Sequence, residues 1–382
     1  MTQNNEIRWV RLGEYIEPFR RKCGDAEALV SGVDINKQFI STRANMEGID
    51  VSKYYLVPPK HFACNLMHIG RDERLPIAYN ATESNLVVTS AYFVFKIKAE
   101  KVEEVSGEYL SIYFQLSEVD RLTWFYTDSS VRGNLPESRF LDLEFPLPSP
   151  EKQKELVATW KGLRDMKEQN EAMAAPLMQL CQSRLQELKH KYPLTEIGPY
   201  IEQCDERNSD KQYGVDSVMG VSIGKKFIST KADMTGVSLT PYKLVKPNEF
   251  CFVTVTSRNG GKISLALNQS DDTYIVSSSY EVFRVIDEEK VCPGFLYLWF
   301  CQSEFDRYAR FHSWGSARET FSYESMERVE VPLPSIKEQE AIVNIYKCAA
   351  ECKRIAEEAD RLSREICPAL MQKAIKGIEL WQ

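Results

Sequence analysis

The side chains best suited to chemistry in this sequence lie in two segments that contain arginine, glycine and other polar residues. These are HIGRDERLP at 68–76 and TSRNGGKIS at 256–264, each between strand-like stretches. Arginine can pair with guanine through two hydrogen bonds, and an asparagine such as Asn259 can read adenine. The alternative is that each segment is a solvated hairpin tip. Their equivalent placement favours base reading, because different loops on one framework suit two different half-sites.

Two further pairs of polar segments complete the candidate set. In FISTRA and FISTKA, hydroxyl and cationic side chains suit contacts that position a protein on the DNA backbone. The loops at 128–132 and 313–318 each carry an arginine, which could contact phosphate or form a salt bridge to the following helix. The DNA-binding candidates are Ser41, Thr42, Arg43, His68, Arg71, Arg74, Arg132, Thr230, Lys231, Arg258, Asn259, Lys262, Trp314 and Arg318.

No catalytic constellation is recognisable in the sequence. SRNGGK at 257–262 lacks the GxxxxGK[ST] pattern of a phosphate loop. VPPK at 57–60 lacks the polar and aromatic ends of the Asn/Asp-Pro-Pro-Tyr motif of adenine methyltransferases. The ten cysteines form no CxxC pair, and none of the four histidines lies near a cysteine at metal-ligand spacing. We therefore expect neither a catalytic residue nor a metal site.

Two long helices are predicted from the spacing of apolar residues. After Ser149, a good N-cap, apolar residues recur at steps of three and four as far as Leu180. Ser335 and Glu338 have the spacing of a capping box, and the residues after Ile342 follow the four-three rhythm of a coiled coil. Because a rod of roughly 58 Å is too long for the interior of a small domain, the two helices are expected to pair.

Prolines and methionines in these helices carry further expectations. Pro176 and Pro368 lie near the distal ends, where each predicts a bend or a helix break. Met173 and Met178 could serve a partner protein as an exposed docking surface, or they could pack in the seam between the helices.

The chain contains an internal repeat. FISTRANMEGIDVSKYYLV at 39–57 recurs at 227–245 as FISTKADMTGVSLTPYKLV, 188 residues later. At the same offset, VVTSAYFVF at 87–95 matches IVSSSYEVF at 275–283, and both alternate like half-buried strands. The chain is therefore predicted to be a duplicated unit, in which an α/β (α+β) globule is followed by a long helix.

Composition and charge narrow the class of protein. The sequence has 382 residues, 43% of them hydrophobic, which is typical of a globular chain. It shows neither a long apolar span nor the basic and apolar regions of a signal peptide, so we expect a cytoplasmic protein without membrane contact. The net charge of −7 argues against coating DNA through bulk charge, but it leaves room for local basic loops or a basic partner subunit.

With these features the chain resembles the DNA-specificity subunits of type I restriction–modification systems. The resemblance covers nearly the whole chain. It rests on PLPSPEKQ at 146–153, PLPSIKEQE at 332–340 and GSARETFS at 315–322. The first half departs from the last motif, since it has Ser130-Val131-Arg132-Gly133 in the equivalent loop.

The resemblance implies two target-recognition domains, 1–148 and 192–334, which each recognise one half of a bipartite, gapped DNA target. It implies that the helices, 149–191 and 335–382, form an antiparallel coiled coil that fixes the gap. The expected partners are double-stranded DNA, two methyltransferase subunits and, in the full complex, restriction subunits. S-adenosylmethionine, ATP and magnesium would bind those partners, so this non-catalytic chain would carry no cofactor.

Two other classes of function stay open at this point. The chain could be a coiled-coil scaffold or regulator that binds proteins without sequence-specific DNA recognition, which its acidity suits more naturally. An enzyme is the third possibility. Sequence preference in DNA binding would separate the first two classes, and loss of a metal-dependent activity on mutation of the polar loops would be needed for the third.

Overall fold

The computed structural model describes residues 8–24, 27–42, 49–67, 69–128, 133–230, 232–256, 261–315 and 318–375. The chain divides into two compact units, each with one globular domain and a part of both long helices. The first unit is Met1–Gln169 with Ile355–Gln382, and the second is Asn170–Arg354. Within the described ranges, no helix has both the length and the apolar character that are needed to cross a membrane.

The first domain alternates short strands with short helices. Its strands are β1 (Arg8–Arg11), β2 (Ile16–Pro18), β3 (Leu29–Val33), β4 (Phe39–Ser41), β5 (Tyr55–Val57), β6 (Phe62–Cys64), β7 (Ile77–Tyr79), β8 (Leu86–Val88), β9 (Phe93–Ile97) and β10 (Glu144–Leu147). Its helices are α1 (Leu12–Tyr15), α2 (Ile69–Asp72), α3 (Gly107–Phe114), α4 (Ser117–Phe125) and α5 (Glu137–Leu141), followed by the long helix α6 (Pro150–Lys191).

The first domain contains two four-stranded sheets and a two-stranded sheet of β1 and β10. One is antiparallel with the order β2-β9-β6-β7, and the other has the order β4-β3-β8-β5 with β3 and β8 parallel. Phe62 stacks on Phe95 across the first sheet, with ring centroids 4.8 Å apart. Helix α3 lies against β7 at Gly107, where a Cβ would lie 2.4 Å from the Tyr79 ring. The aromatic core therefore sits between this sheet and its helices.

The second domain repeats the antiparallel four-stranded sheet, whereas the strands equivalent to the other four-stranded sheet form two separate pairs. Its strands are β11 (Leu194–Glu196), β12 (Ile201–Cys204), β13 (Met219–Val221), β14 (Phe227–Ser229), β15 (Lys243–Val245), β16 (Phe250–Val253), β17 (Leu265–Leu267), β18 (Tyr274–Val276), β19 (Tyr280–Val285) and β20 (Glu330–Pro332). Its helices are α7 (Pro293–Phe300), α8 (Ser303–Phe311) and α9 (Tyr323–Glu327), followed by the long helix α10 (Ile336–Ile375).

The sheet order of the second domain confirms the duplication. The order β12-β19-β16-β17 is equivalent to β2-β9-β6-β7 of the first domain. Phe250 stacks on Phe283 at 4.8 Å, and these residues lie 188 positions after Phe62 and Phe95. The prediction of a mixed α/β chain with two similar domains and two long helices is therefore confirmed.

The long helices pack against each other within each unit, in opposite chain directions. In the first unit, Lys167 of α6 pairs with Asp360 of α10 at 2.8 Å. In the second unit, Lys191 pairs with Glu338 at 3.0 Å. Within the second unit, the Cys181 Sγ also lies 3.9 Å from the Ile342 carbonyl oxygen. Residue numbers therefore fall along one helix as they rise along the other, and the antiparallel pairing is confirmed.

Both helix prolines lie inside continuous helices. Pro176 falls within α6 and Pro368 within α10, so the predicted helix break does not occur at either position. A proline removes one backbone hydrogen bond, whereas the packing of a long helix against its partner involves many side chains. Tertiary packing therefore outweighs the local penalty.

The apolar seam differs from the prediction along α6. Met166, Met173 and Leu180 are exposed, so the prediction that the regularly spaced apolar residues of α6 all pack in the seam is wrong, and Met178 is half-buried. The buried residues along the middle of α10 are alanines, namely Ala349, Ala356 and Ala359. An alanine side chain is small and contacts only a small area of the partner helix. The seam is therefore narrower than the pattern of large apolar residues in α6 indicated.

A buried glutamine joins α6 to the first domain. The Gln153 Nε2 donates to the carbonyl oxygens of Glu104 at 2.7 Å and Pro148 at 2.9 Å, and its Oε1 accepts from the Ser106 backbone N–H at 3.0 Å. One amide thus satisfies three backbone groups where the helix begins.

Gln339 forms the same contacts in the second domain. Its Nε2 donates to the carbonyl oxygens of Lys290 at 2.8 Å and Pro334 at 2.9 Å, and its Oε1 accepts from the Cys292 N–H at 2.9 Å. The glutamine of the repeated PLPS segments therefore fixes each long helix to the domain that precedes it.

Candidate nucleic-acid interface

The hairpin that carries each FIST segment is fixed by a buried lysine in its turn. Lys37 follows β3 with φ of 62°, and Lys225 follows β13 with φ of 63°. Positive φ is uncommon for a residue other than glycine. Both lysine side chains are nonetheless buried, so each turn places its ammonium group inside the domain.

In the first domain the lysine connects three elements. The Lys37 Nζ donates to the Asp120 Oδ1 on α4 at 2.7 Å and to the Phe114 carbonyl. The same Asp120 oxygen accepts from the backbone N–H of Leu75 at 2.9 Å. One carboxylate thus holds the β3–β4 hairpin and the 68–76 segment, which is the first predicted base-reading segment.

The second domain has an equivalent arrangement. The Lys225 Nζ donates to the Asp306 Oδ1 on α8 at 2.5 Å and to the Ile263 carbonyl at 3.0 Å. The Ile263 N–H donates to the same carboxylate oxygen at 3.2 Å. The β13–β14 hairpin and the 256–264 segment are therefore held together in the same way.

Burial dominates the electrostatics of these two pairs. Loss of solvent lowers the pKa of Lys37 and of Lys225, and the adjacent carboxylates oppose this shift. Because each ammonium faces a carboxylate, neither pair adds net charge to the surface. The pairs position the loops and leave DNA contact to other side chains.

The third predicted segment of the first domain meets the first one at two glycines. The Gly70 N–H donates to the Gly133 carbonyl at 3.0 Å, and the Leu135 N–H donates to the Leu66 carbonyl at 2.8 Å. Gly133 has φ of 59°, and a Cβ there would lie 2.4 Å from the Gly70 Cα. The close approach of the two backbones therefore requires glycine.

The corresponding segments of the second domain are also joined. The Thr256 N–H donates to the Glu319 carbonyl at 3.0 Å, and its Oγ1 donates to the Ser313 Oγ at 2.9 Å. The Phe321 N–H donates to the Thr254 carbonyl at 2.8 Å, which is equivalent to the Leu135 bond of the first domain. In each domain, three predicted segments thus converge on one surface.

The predicted residues of the first domain lie on or beside this surface. Ser41 is exposed at the end of β4, and Thr42 is half-buried. Arg71, in α2, is exposed and pairs with Asp72 at 2.6 Å, whereas Arg74 is exposed and forms no ion pair in the described part of the chain. The candidates outside the described residues are Arg43, His68 and Arg132.

In the second domain, Thr230 is half-buried after β14, and Lys262 is exposed at the position equivalent to Arg74. Trp314 is 68% exposed, and Arg318 is also exposed. Neither Lys262 nor Arg318 forms an ion pair with a described residue, so both cations are available to phosphate. The candidates that fall outside the described ranges are Lys231, Arg258 and Asn259.

Sequence reasoning missed two exposed aromatic residues at this surface. Phe125 ends α4 and Phe311 ends α8, and they are 75% and 74% exposed. They occupy equivalent positions, 186 residues apart, just before the third segment of each domain. The recurrence of phenylalanine at this offset could have indicated a shared function. It was not a sufficient signal, because apolar residues in a predicted helix are more often buried.

Among the residues that the structure describes, no group of three histidine, cysteine, aspartate or glutamate side chains is arranged to hold a metal ion. The described loop residues offer hydroxyl, cationic and aromatic groups, which suit binding to a nucleic acid.

Residues 190–356 match the family model described as the type I restriction modification DNA specificity domain. The first domain has the same sheet order, buried lysine–aspartate pair and glutamine contacts as this matched region. Residues 190–356 are therefore a type I restriction–modification DNA-specificity domain. This match does not favour the alternative of a scaffold without DNA recognition.

A solved structure with a similar fold covers nearly the whole chain. The type I restriction–modification S subunit from M. genitalium is 11% identical with a TM-score of 0.59, and the alignment covers 99% of this chain and 97% of that one. The HsdS subunit from Thermoanaerobacter tengcongensis is 15% identical with a TM-score of 0.42, at 99% and 98% coverage. By sequence, the chain matches none of the curated proteins with which it was compared.

Proposed function

We propose that each domain of this specificity subunit recognises one half of a bipartite, gapped target in double-stranded DNA. The observation that carries the proposal is the repeated anchoring of variable loops. Asp120 and Asp306 hold equivalent segments, 68–76 and 256–264, which share no identical residue at equivalent positions. One framework with two sets of loop residues is what two different half-sites require.

The available charges support local contact with DNA. The chain has a net charge of −7, so nonspecific attraction to phosphate is weak. Arg74, Lys262 and Arg318 place exposed cations on the loop surfaces. Arg71 must exchange Asp72 for a DNA group before its full charge is available. We therefore propose that these cations contact the DNA backbone. The other residues of the 68–76 and 256–264 segments would contact the bases.

The paired helices are proposed to set the distance between the half-sites. A heptad inserted after Gln169, with a matching heptad after Arg354, adds about 10 Å to each helix. At 3.4 Å per base pair this corresponds to roughly three base pairs. The expected result is a longer spacer with both half-sites unchanged. An unchanged spacer would show that the helices do not set the distance between the half-sites.

The chemistry is proposed to reside on partner subunits. Two methyltransferase subunits, and restriction subunits in the full complex, would act at the DNA that this non-catalytic chain selects in the cytoplasm. S-adenosylmethionine, ATP and magnesium would bind those subunits. The support is the match of residues 190–356 to the type I restriction modification DNA specificity domain, together with a set of loop side chains that are suited to recognition.

The proposal is tested by co-expressing the chain with its methyltransferase subunit and mapping methylated adenines across the host genome. A gapped, two-part motif that disappears when this chain is omitted is the expected result. Methylation that is absent although the complex assembles, or that occurs without a sequence motif, would contradict the proposal.

A further inference from the structure

Each hairpin exposes two isoleucines at equivalent positions. Ile35 and Ile40 are 49% and 46% exposed in the first domain, and Ile223 and Ile228 are 50% and 46% exposed in the second. Each pair has one residue in the turn and one in the following strand. We call each pair, with its hairpin surface, the isoleucine patch.

The geometry of the hairpin keeps the strand isoleucine uncovered. Phe39 and Phe227 lie on the inner face and pack against the core. The next residues, Ile40 and Ile228, face the other way because strand side chains alternate. Their cross-strand partners are glycines. A side chain at either glycine would begin within 4 Å of the isoleucine, so the absence of one leaves the apolar surface open.

The residues of the hairpins are shared, in contrast to those of the recognition segments. Residues 35–42 (INKQFIST) and 223–230 (IGKKFIST) are identical at six of eight positions, whereas 68–76 and 256–264 are identical at none of nine. Residues that read two different half-sites must differ. A shared apolar surface therefore fits a contact that is the same at both domains, and aliphatic side chains are unsuited to phosphate.

We propose that the two isoleucine patches are docking surfaces for two copies of one protein, the methyltransferase subunit, which would present an apolar surface to each. This inference rests on the proposed function. A methyltransferase that acts on a recognised half-site must lie beside the recognition loops. The hairpin that carries each patch is held next to the recognition loop, because the hairpin lysine and the loop backbone share Asp120 in one domain and Asp306 in the other.

The test measures how many methyltransferase subunits the full chain binds. Ile223→Ser with Ile228→Ser removes the second patch, and Ile35→Ser with Ile40→Ser removes the first. The matched control is Ile286→Ser, because Ile286 is 53% exposed in the second domain but its equivalent position holds Lys98. Native mass spectrometry gives the stoichiometry, and titration gives the affinity of each copy.

The second-patch variant should bind one copy with native affinity and the other at least about tenfold more weakly, as expected for loss of central apolar contacts. The four-site variant should weaken both copies, and Ile286→Ser should bind two copies normally. Ile228→Thr keeps a β-branched side chain in the strand, so weakened docking in this variant cannot be attributed to a lost strand.

Native binding of two copies by the patch variants would overturn the inference. Loss of DNA affinity with unchanged methyltransferase binding would also overturn it, by assigning the patch to DNA. Loss of self-association alone would also overturn it, by showing that the patch binds a second copy of this chain. The proposed function fails separately, through methylation without a gapped motif in complexes that contain the native chain.

Discussion

In the first domain Lys37 and Asp120 hold the hairpin and the recognition segment together, and in the second domain Lys225 and Asp306 form the same contacts. The glutamines that fix the long helices are likewise repeated. The exposed loops are not, since HIGRDERLP stands opposite TSRNGGKIS. The comparison teaches that the anchors of a recognition surface can stay constant while the residues it presents change.

The largest effect should come from the buried lysines. Lys225→Met leaves the Asp306 carboxylate buried without its cation, which should lower the free energy of unfolding by about 3 kcal/mol or more. Lys37→Met should do the same in the first domain. Urea unfolding measures both, and Lys246→Met, which removes a more exposed pair with Glu206, should change stability by less than about 1 kcal/mol. Equal effects of Lys225→Met and Lys246→Met would show that the buried pair does not stabilise the domain more than an exposed pair does.

The glutamine contacts should give the next largest effect. Gln339→Ala leaves three backbone groups without their partner and should cost about 2 kcal/mol of stability. Gln153→Ala should cost a similar amount in the first domain. The control is Gln203→Ala, because the Gln203 side chain lies at an exposed position and contacts only Glu281 in the described hydrogen bonds. A neutral Gln339→Ala variant, by calorimetry, would argue against the repeated attachment of the helices.

The exposed cations should affect DNA binding and leave stability unchanged. Lys262→Ala and its first-domain equivalent Arg74→Ala should each weaken binding to all sequences alike and reduce the salt slope of the logarithm of the affinity by about 1. Fluorescence anisotropy at several salt concentrations measures this slope. Lys290→Ala is the control, since Lys290 pairs with Asp287 and lies outside the candidate loop segments. A slope that is unchanged in both variants would exclude phosphate contacts at these positions.

The smallest effect should appear at a position where the domains differ. Glu338 accepts a hydrogen bond from Tyr192 and pairs with Lys191, and these contacts lower its pKa. The equivalent residue of α6 is Lys152, which cannot form such a pair with a cation. Glu338→Gln should therefore cost about 0.5 kcal/mol at neutral pH.

The sign of its pH dependence follows from the lowered pKa. The unfolded chain binds the proton more readily, so the carboxylate contributes fully above the unfolded pKa, and its contribution is lost as the pH falls through the folded pKa. Urea unfolding at pH 7 and in acid should show that the difference between native chain and Glu338→Gln shrinks in acid. A difference that grows in acid would contradict this assignment.

The repeat and the helices could be predicted because they leave long patterns in the sequence. The match between FISTRA and FISTKA predicted that the two hairpins are equivalent, and the spacing of apolar residues predicted the paired helices. The seam was predicted less well along α6, because spacing cannot distinguish an exposed methionine such as Met173 from a buried one.

The anchors of the recognition surface could not be predicted from local pattern. Lys37 and Asp120 lie 83 residues apart, and a lysine in a polar turn is ordinarily solvated. Only the folded chain shows that the positive φ of Lys37 accompanies a buried ammonium group. The recurrence of Lys225 and Asp306 was visible, but no sequence rule assigned a contact to it.

The most direct test replaces the second domain, residues 192–334, with a second copy of residues 1–148 and maps methylated adenines in cells that carry the methyltransferase subunit. The native chain should give a gapped motif with two different halves. The replaced chain should give a motif in which both halves carry the sequence read by the first domain. Retention of the native second half would contradict the claim that each domain reads one half-site.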